Sequence, residues 1–165
     1  MGAFRTATLV GATLTTGLMA GLFYAWAISV MPGLERSDDR TFVEAMQHMN
    51  EAILNGWFVL CFVGALVLTA LAALLHLGRD VRSVLPWVIA ALVLYVAALA
   101  ITFGVNVPLN NELKAAGGVD RITDLAAVRE VFEAKWVRGN IVRAVTNTAA
   151  LGCLASALIQ HGRVT

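Results

Sequence analysis

Charged side chains are scarce in this chain. Of its 165 residues, 59% are hydrophobic and only 14% are charged, whereas a soluble domain carries about 25% charged residues. This shortage excludes an ordinary soluble domain, and a net charge of +1 gives no reason to expect a nucleic-acid partner. The composition predicts an integral membrane protein whose main partner is the lipid bilayer.

Long stretches of the chain contain no charge at all. A bilayer-spanning helix needs about 20 mostly apolar residues, and three uncharged runs reach that length: Thr6 to Leu34, Ala52 to Leu75 and Ser83 to Asn111. A fourth apolar run begins at Gly139. We predict an all-α bundle of four transmembrane helices, near residues 8–31, 53–75, 85–105 and 139–159, as one membrane domain over 1–165. Short amphipathic helices are expected in the 1–2 and 3–4 connections.

Cysteine is also scarce. The two cysteines, Cys61 and Cys153, lie in apolar surroundings near opposite ends of the second and fourth spans. Their expected depths in the bilayer differ, and a disulfide requires Cα atoms within about 7 Å of each other. We therefore expect two free thiols.

The few charges are distributed unevenly between the two sides of the membrane. The N-terminus, the 2–3 connection and the C-terminus carry four arginines and one aspartate, whereas the other side carries eight basic and ten acidic residues. Because positive residues in short segments are retained in the cytoplasm, both termini are expected to be cytoplasmic. The expected location is the bacterial inner membrane.

Polar residues enter the fourth apolar run at helical spacing. Four of them fall at i, i+4, i+7 and i+11, on one face of a helix: Trp136, Asn140, Arg143 and Asn147. Such groups are unfavourable in hydrocarbon unless they face a partner or a polar cavity. The stripe indicates either a binding site or a structural role, in which Arg143 extends to the headgroups or pairs with Glu133.

Two prolines predict helix ends on the same side of the membrane. Pro32 is followed by an amphipathic segment and Trp57, and Pro108 is followed by a second amphipathic segment and Trp136. This shared plan indicates two parallel repeats. Three asparagines cluster around the second proline: Asn106, Asn110 and Asn111. They either cap a broken helix or line a site at the membrane level of Arg143.

The first amphipathic segment, from Thr41 to Asn55, has a polar face. Its residues at helical spacing are Glu44, His48, Glu51 and Asn55. The pattern is typical of a solvated interfacial helix, of a proton-transfer site or of a metal site, and all three interpretations remain open. His76 and His161, at the opposite membrane edge, form a histidine pair that is a haem-ligand candidate.

Small residues recur at every fourth position of the first and fourth spans. They include Gly17 and Gly21 in the first span and Gly152 in the fourth. Such seams let helix backbones approach closely in lipid. They predict packing of the first span on the fourth or, alternatively, a homo-oligomer contact.

Three of these stretches resemble a known family. Gly21-Leu-Phe-Tyr24 with Pro32, Asn106-Val-Pro-Leu-Asn-Asn111, and Trp136-x-x-x-Asn140-x-x-Arg143 resemble the DUF1772 or anthrone-oxygenase-like group of small four-helix membrane proteins. The resemblance implies a monooxygenase that uses molecular oxygen without metal, flavin or other cofactor to convert an anthrone to an anthraquinone.

The chemistry of that reaction requires a base and an anion-stabilising site, and the residues offer candidates for both. His48, tuned by Glu44 and Glu51, is the expected base. Arg143 and Asn140 are expected to stabilise an enolate oxygen. Further contacts to a flat hydrophobic aromatic substrate are expected from Asn106, Asn110, Trp136, Trp57 and Tyr24. Two other classes remain open: an accessory subunit of a membrane complex, and a redox protein holding haem or quinone.

Overall fold

The computed structural model describes residues 2–165, which form five helices and contain no strand. The helices are α1 (Gly2–Glu35), α2 (Asp39–Ala52), α3 (Gly56–Leu75), α4 (Leu85–Ala115) and α5 (Leu125–Val164). All except α2 are long and apolar enough to cross a membrane. The predicted all-α fold with four spans is therefore confirmed.

The four long helices form a four-cornered bundle. α5 packs against α1 and α4, and α3 packs against the same two helices. Consequently α3 and α5 face each other across a diagonal. Alanines fill much of the middle of the bundle, where Ala12, Ala91 and Ala150 surround Leu154; small side chains of this kind allow close helix contacts in lipid.

Neither proline ends its helix, which corrects the predicted breaks. Five-residue π-helical segments, Trp26–Val30 and Thr102–Asn106, each end two residues before Pro32 or Pro108. A proline ring clashes with the carbonyl four residues earlier, and here that carbonyl belongs to a π segment with wider turns. The clash is thereby avoided, and both helices continue, to Glu35 and Ala115.

At one end of the bundle α2 packs on the ends of α1, α4 and α5; we call this assembly the cap. Its core contains Met31 from α1, Phe42 and Met46 from α2, Leu113 from α4 and Phe132 from α5. Gln47 on α2 donates hydrogen bonds of 2.9 Å to the Leu113 carbonyl in the last turn of α4 and to the Gly117 carbonyl just after it. The first of these bonds satisfies a helix-terminal carbonyl.

The amphipathic segments differ from the predicted boundaries. Asp38 caps α2 by accepting from the Thr41 amide at 3.0 Å, and the Thr41 hydrogen bonds lower the pKa of this carboxyl. α2 ends at Ala52, and Asn55 caps a separate α3 by accepting from the amides of Trp57 and Phe58. The second segment instead continues without interruption into the 40-residue α5.

Arg129, on α5, binds the turn between α1 and α2. Its guanidinium donates to the carbonyls of Glu35, the last residue of α1, at 2.9 Å and of Ser37 at 2.8 Å. It also pairs with Asp39 at 3.1 Å and Glu133 at 2.7 Å. One side chain thus holds the α1–α2 turn against α5.

The opposite end of the bundle contains the His76–His161 pair. His76 Nε2 and His161 Nδ1 are 3.2 Å apart, His76 Nδ1 is 2.7 Å from the Ala72 carbonyl, and His161 Nε2 is 3.0 Å from the Thr6 hydroxyl. A carbonyl only accepts, so neutral His76 carries its proton on Nδ1 and accepts from His161. All four ring nitrogens are occupied, and none is free to ligate a haem iron in this arrangement.

The first span packs on the fourth, as predicted, because α1 lies against α5. Of the seam glycines, Gly17 lies beside Leu151 of α5, whereas an added Cβ at Gly21 or Gly152 would have no atom within 4 Å. The contact therefore does not run through Gly21 and Gly152. The two cysteines are free, as predicted.

Candidate functional site

A cavity of about 680 Å³ lies beneath the cap, between all five helices. Its walls include residues of each helix. Six of the residues predicted to form a site line it together: His48, Asn106, Asn110, Trp136, Asn140 and Arg143. Their roles in binding or chemistry remain predictions.

Arg143 is buried in the wall of this cavity. The side chain is only 6% exposed, and its guanidinium lies 4.5 Å from the Phe23 ring centroid and 5.3 Å from that of Trp136. Nη2 donates to Asn140 Oδ1 at 3.2 Å, while Nε has no partner within residues 2–165. Arg143 therefore neither extends to the headgroups nor pairs with Glu133, whose partner is Arg129.

The neighbouring amides are held by backbone and indole groups. Asn140 Nδ2 donates to the Phe23 carbonyl at 3.0 Å, and Asn106 Nδ2 donates to the Trp136 carbonyl at 3.1 Å. Trp136 Nε1 donates to Asn110 Oδ1 at 2.7 Å. These bonds link α1, α4 and α5 around the cavity. They also fix the orientation of each asparagine amide group.

The mouth of the cavity carries the remaining charged groups. Glu51 of α2 and Lys114 of α4 pair across it, with 3.2 Å between Nζ and Oε1. His48 lines the cavity beside them and is exposed, whereas Glu44 lies outside the lining. Glu51, one of the two carboxylates expected to tune His48, is thus also paired with Lys114.

Two predicted stacking residues do not line the cavity. Trp57 is 80% exposed and Tyr24 is 56% exposed, and both rings lie on the outside of the bundle. Their neighbours Phe58 and Phe23 line it instead. Each predicted residue is one position away from the aromatic residue that lines the cavity. On a helix, one position rotates the direction of the side chain by about 100°.

Further aromatic residues of the wall were not predicted. Phe62 stacks on Phe58 with 5.1 Å between centroids and meets Phe103 edge-on at 6.2 Å. Trp26 contacts Trp136 at 5.1 Å. The i, i+4 spacing of Phe58 and Phe62 was the available signal, but an apolar helix gives no polar face against which to orient it.

Residues 2–165 contain no group of three or more His, Cys, Asp or Glu side chains that could hold a metal ion. The cavity instead offers a guanidinium, several amides, one imidazole and aromatic surface. This set can bind a flat apolar molecule and stabilise an oxygen atom that carries negative charge.

A comparison with protein families gives a match. The family model described as anthrone oxygenase matches residues 57–153, more than half of the chain. The matched region includes Asn106, Trp136, Asn140 and Arg143, while His48 precedes it. No curated protein matches the chain, and no solved structure matches it. On the family match, the chain belongs to the anthrone oxygenase family.

Proposed function

We propose that this membrane protein is a cofactor-independent oxygenase that oxidises an anthrone-like aromatic ketone in the cavity beneath the cap. The observation that carries the proposal is the buried Arg143 guanidinium, which lines an aromatic-walled cavity and whose Nε–H has no partner within residues 2–165. A free, oriented cation in a low-dielectric site is suited to stabilising an oxyanion. The family match supports the same reaction class.

The first step is removal of a proton from the activated CH₂ group opposite the ketone. His48 is the proposed base, because it is the one imidazole that lines the cavity and histidine exchanges protons near neutral pH. The resulting negative charge resides largely on the ketone oxygen. Arg143 and Asn140 stabilise it, with Arg143 already oriented by its 3.2 Å bond to Asn140.

The second step needs no bound cofactor. The enolate transfers one electron to molecular oxygen, and the radical and superoxide so formed combine at the deprotonated carbon. Protonation gives a hydroperoxide, which loses one molecule of water to give the quinone. One anthrone and one O₂ are consumed, and one anthraquinone and one water are formed.

The reaction can be tested with purified protein in lipid nanodiscs. Anthrones autoxidise slowly, so the measured quantity is the rate of quinone formation and O₂ uptake above that of empty nanodiscs. We expect Arg143→Gln to reduce this excess rate by roughly 100-fold, as is typical for loss of an oxyanion-stabilising group. His48→Gln should reduce it by at least about 100-fold, the usual lower contribution of a general base.

Glu130→Gln is the matched control, because Glu130 is an exposed carboxylate of α5 outside the cavity lining. Its rate should equal that of the wild type. Equal rates in protein-containing and empty nanodiscs would refute the proposed reaction. Co-purification with a larger membrane complex, together with no excess rate, would favour the accessory-subunit alternative.

A further inference from the structure

We propose that the natural ligand of the cavity beneath the cap is a lipophilic monoanion, whose charged oxygen completes an ion pair with Arg143. This inference rests on the proposed use of that cavity for a small molecule. It adds the charge of the ligand in its resting state, which an anthrone ketone does not carry.

The charges that line the cavity do not balance. Glu51 and Lys114 pair at the mouth and cancel each other. Arg143 is the only other arginine, lysine or acidic residue of the lining, and it has no salt bridge within residues 2–165. With His48 neutral, the cavity therefore carries one uncompensated positive charge, at its buried end.

An uncompensated charge at this depth is unfavourable. Ionised side chains inside a membrane protein normally pair with one another or face water, and removing one partner of a buried pair is strongly destabilising. The aromatic rings of Phe23 and Trp136 compensate the Arg143 charge only in part. An anionic ligand supplies the missing partner.

The Arg143 guanidinium is already held in a position to bind an anionic ligand. Asn140 and the two rings fix its position, and Asn140 is itself held by the Phe23 carbonyl. Nη1 makes no hydrogen bond within the described residues, and Nη2 uses one of its two hydrogens for Asn140. The two terminal nitrogens of the guanidinium therefore keep N–H groups that can donate to a carboxylate or another ionised oxygen.

The facing wall fits the apolar body of the ligand. Phe58 and Phe62 of α3, with Phe103 of α4, form a continuous aromatic cluster in the lining. α3 lies diagonally opposite α5, which bears Arg143. A ligand with its charge on Arg143 would therefore extend its apolar part toward these rings.

Two probes with the same ring system test the charge preference: 9-anthracenecarboxylate and 9-anthracenemethanol. Their dissociation constants are measured by quenching of tryptophan fluorescence in nanodiscs of phosphatidylcholine. The quantity of interest is the ratio of the two constants, compared between variants, because membrane partitioning affects every variant equally. We expect Arg143→Gln to reduce the preference for the carboxylate at least about 10-fold, the loss typical of a charge-assisted hydrogen bond.

Arg138→Gln is the matched control, since Arg138 is exposed on the same helix and outside the lining. It should keep the wild-type ratio, and Arg143→Lys, which retains the charge, should keep most of it. An unchanged ratio in Arg143→Gln would overturn the inference. If Arg143→Gln is unstable, the wild-type affinities are corrected for the partitioning of each probe into empty nanodiscs, and equal corrected affinities would overturn the inference.

Nanodiscs that contain the anionic lipid phosphatidylglycerol test whether the anion bound by Arg143 is a lipid headgroup or a free acid. Competitive displacement of the carboxylate probe would indicate that an anionic lipid headgroup occupies the site, whereas undiminished probe binding would indicate a free lipophilic acid. The oxygenase proposal is judged separately: oxidation of a neutral anthrone without any charge preference would leave that proposal standing and refute the monoanion.

Discussion

The side chain of Asn106 lies directly against the backbone of Gly139. A Cβ atom added to Gly139 would lie 2.5 Å from Asn106 Oδ1 and 3.2 Å from Nδ2. Asn106 Oδ1 has no conventional hydrogen-bond partner within residues 2–165, so the glycine Cα–H group is its nearest substitute. This contact sets the separation of α4 and α5 at the cavity.

Gly139→Ala should therefore destabilise the protein even though alanine favours helices. We expect a loss of about 1–3 kcal/mol, the usual cost of overpacking, because Asn106 must move and lose its bond to the Trp136 carbonyl. The free energy of unfolding in detergent measures this. Gly152→Ala is the control on the same helix, with open space around its Cβ, and should be neutral or stabilising. Equal effects of the two variants would contradict the role of this contact.

Trp136 links α5 to α4 through its indole N–H as well as its rings. Trp136→Phe removes the 2.7 Å bond to Asn110 Oδ1 and keeps an aromatic ring beside Arg143. We expect a loss of about 1 kcal/mol for the hydrogen bond, measured by unfolding in detergent. The control is Trp87→Phe, since Trp87 is half-exposed at the start of α4; a similar loss there would assign the effect to ring size alone.

The sequence predicted the four spans and the polar face of α5 because both depend on local patterns. Uncharged length determines a span, and the i, i+4, i+7 spacing places Trp136, Asn140 and Arg143 on one face whatever the tertiary contacts. The π segments before Pro32 and Pro108 could not be predicted in the same way. They are changes of hydrogen-bond register, which leave no pattern of apolar and polar residues.

Contacts between distant segments also could not be predicted from the sequence. Glu51 and Lys114 are 63 positions apart, and nothing local indicates that they pair. The choice of Tyr24 over Phe23 failed for a different reason: α1 is apolar on all sides at that level, so amphipathicity does not distinguish the face toward α5 from the face toward lipid.

Arg129 should be necessary for local order in the turn between α1 and α2. Lysine keeps the charge but cannot reproduce the branched donor set that reaches Glu35, Ser37 and Asp39. Arg129→Lys is expected to increase amide hydrogen exchange across residues 35–39 about tenfold or more, which corresponds to roughly 1.4 kcal/mol. Arg121→Lys is the control, an exposed arginine of the α4–α5 connection. Unchanged exchange in Arg129→Lys would show that the cap core alone holds the turn.

The orientation of the bundle remains a prediction from the charge distribution. A reporter fused at Thr165 should be active only if it functions in the cytoplasm, and one inserted between Gly117 and Gly118 only if it functions outside. This result would place the cavity at the outer face of the membrane. Opposite activities would invert the topology and move the cavity to the cytoplasmic face.

The His76–His161 pair allows a double-mutant cycle at the far end of the bundle. His161→Leu leaves His76 Nε2 without its donor in a buried position, and an unsatisfied buried polar group costs about 1–3 kcal/mol. His76→Leu likewise leaves the His161 Nδ1–H without an acceptor. The double variant contains neither of these unsatisfied ring nitrogens. Its loss of unfolding free energy should therefore be smaller than the sum of the two single losses. Strictly additive losses, beyond an error of about 0.5 kcal/mol, would show that the 3.2 Å contact between the rings contributes no coupling.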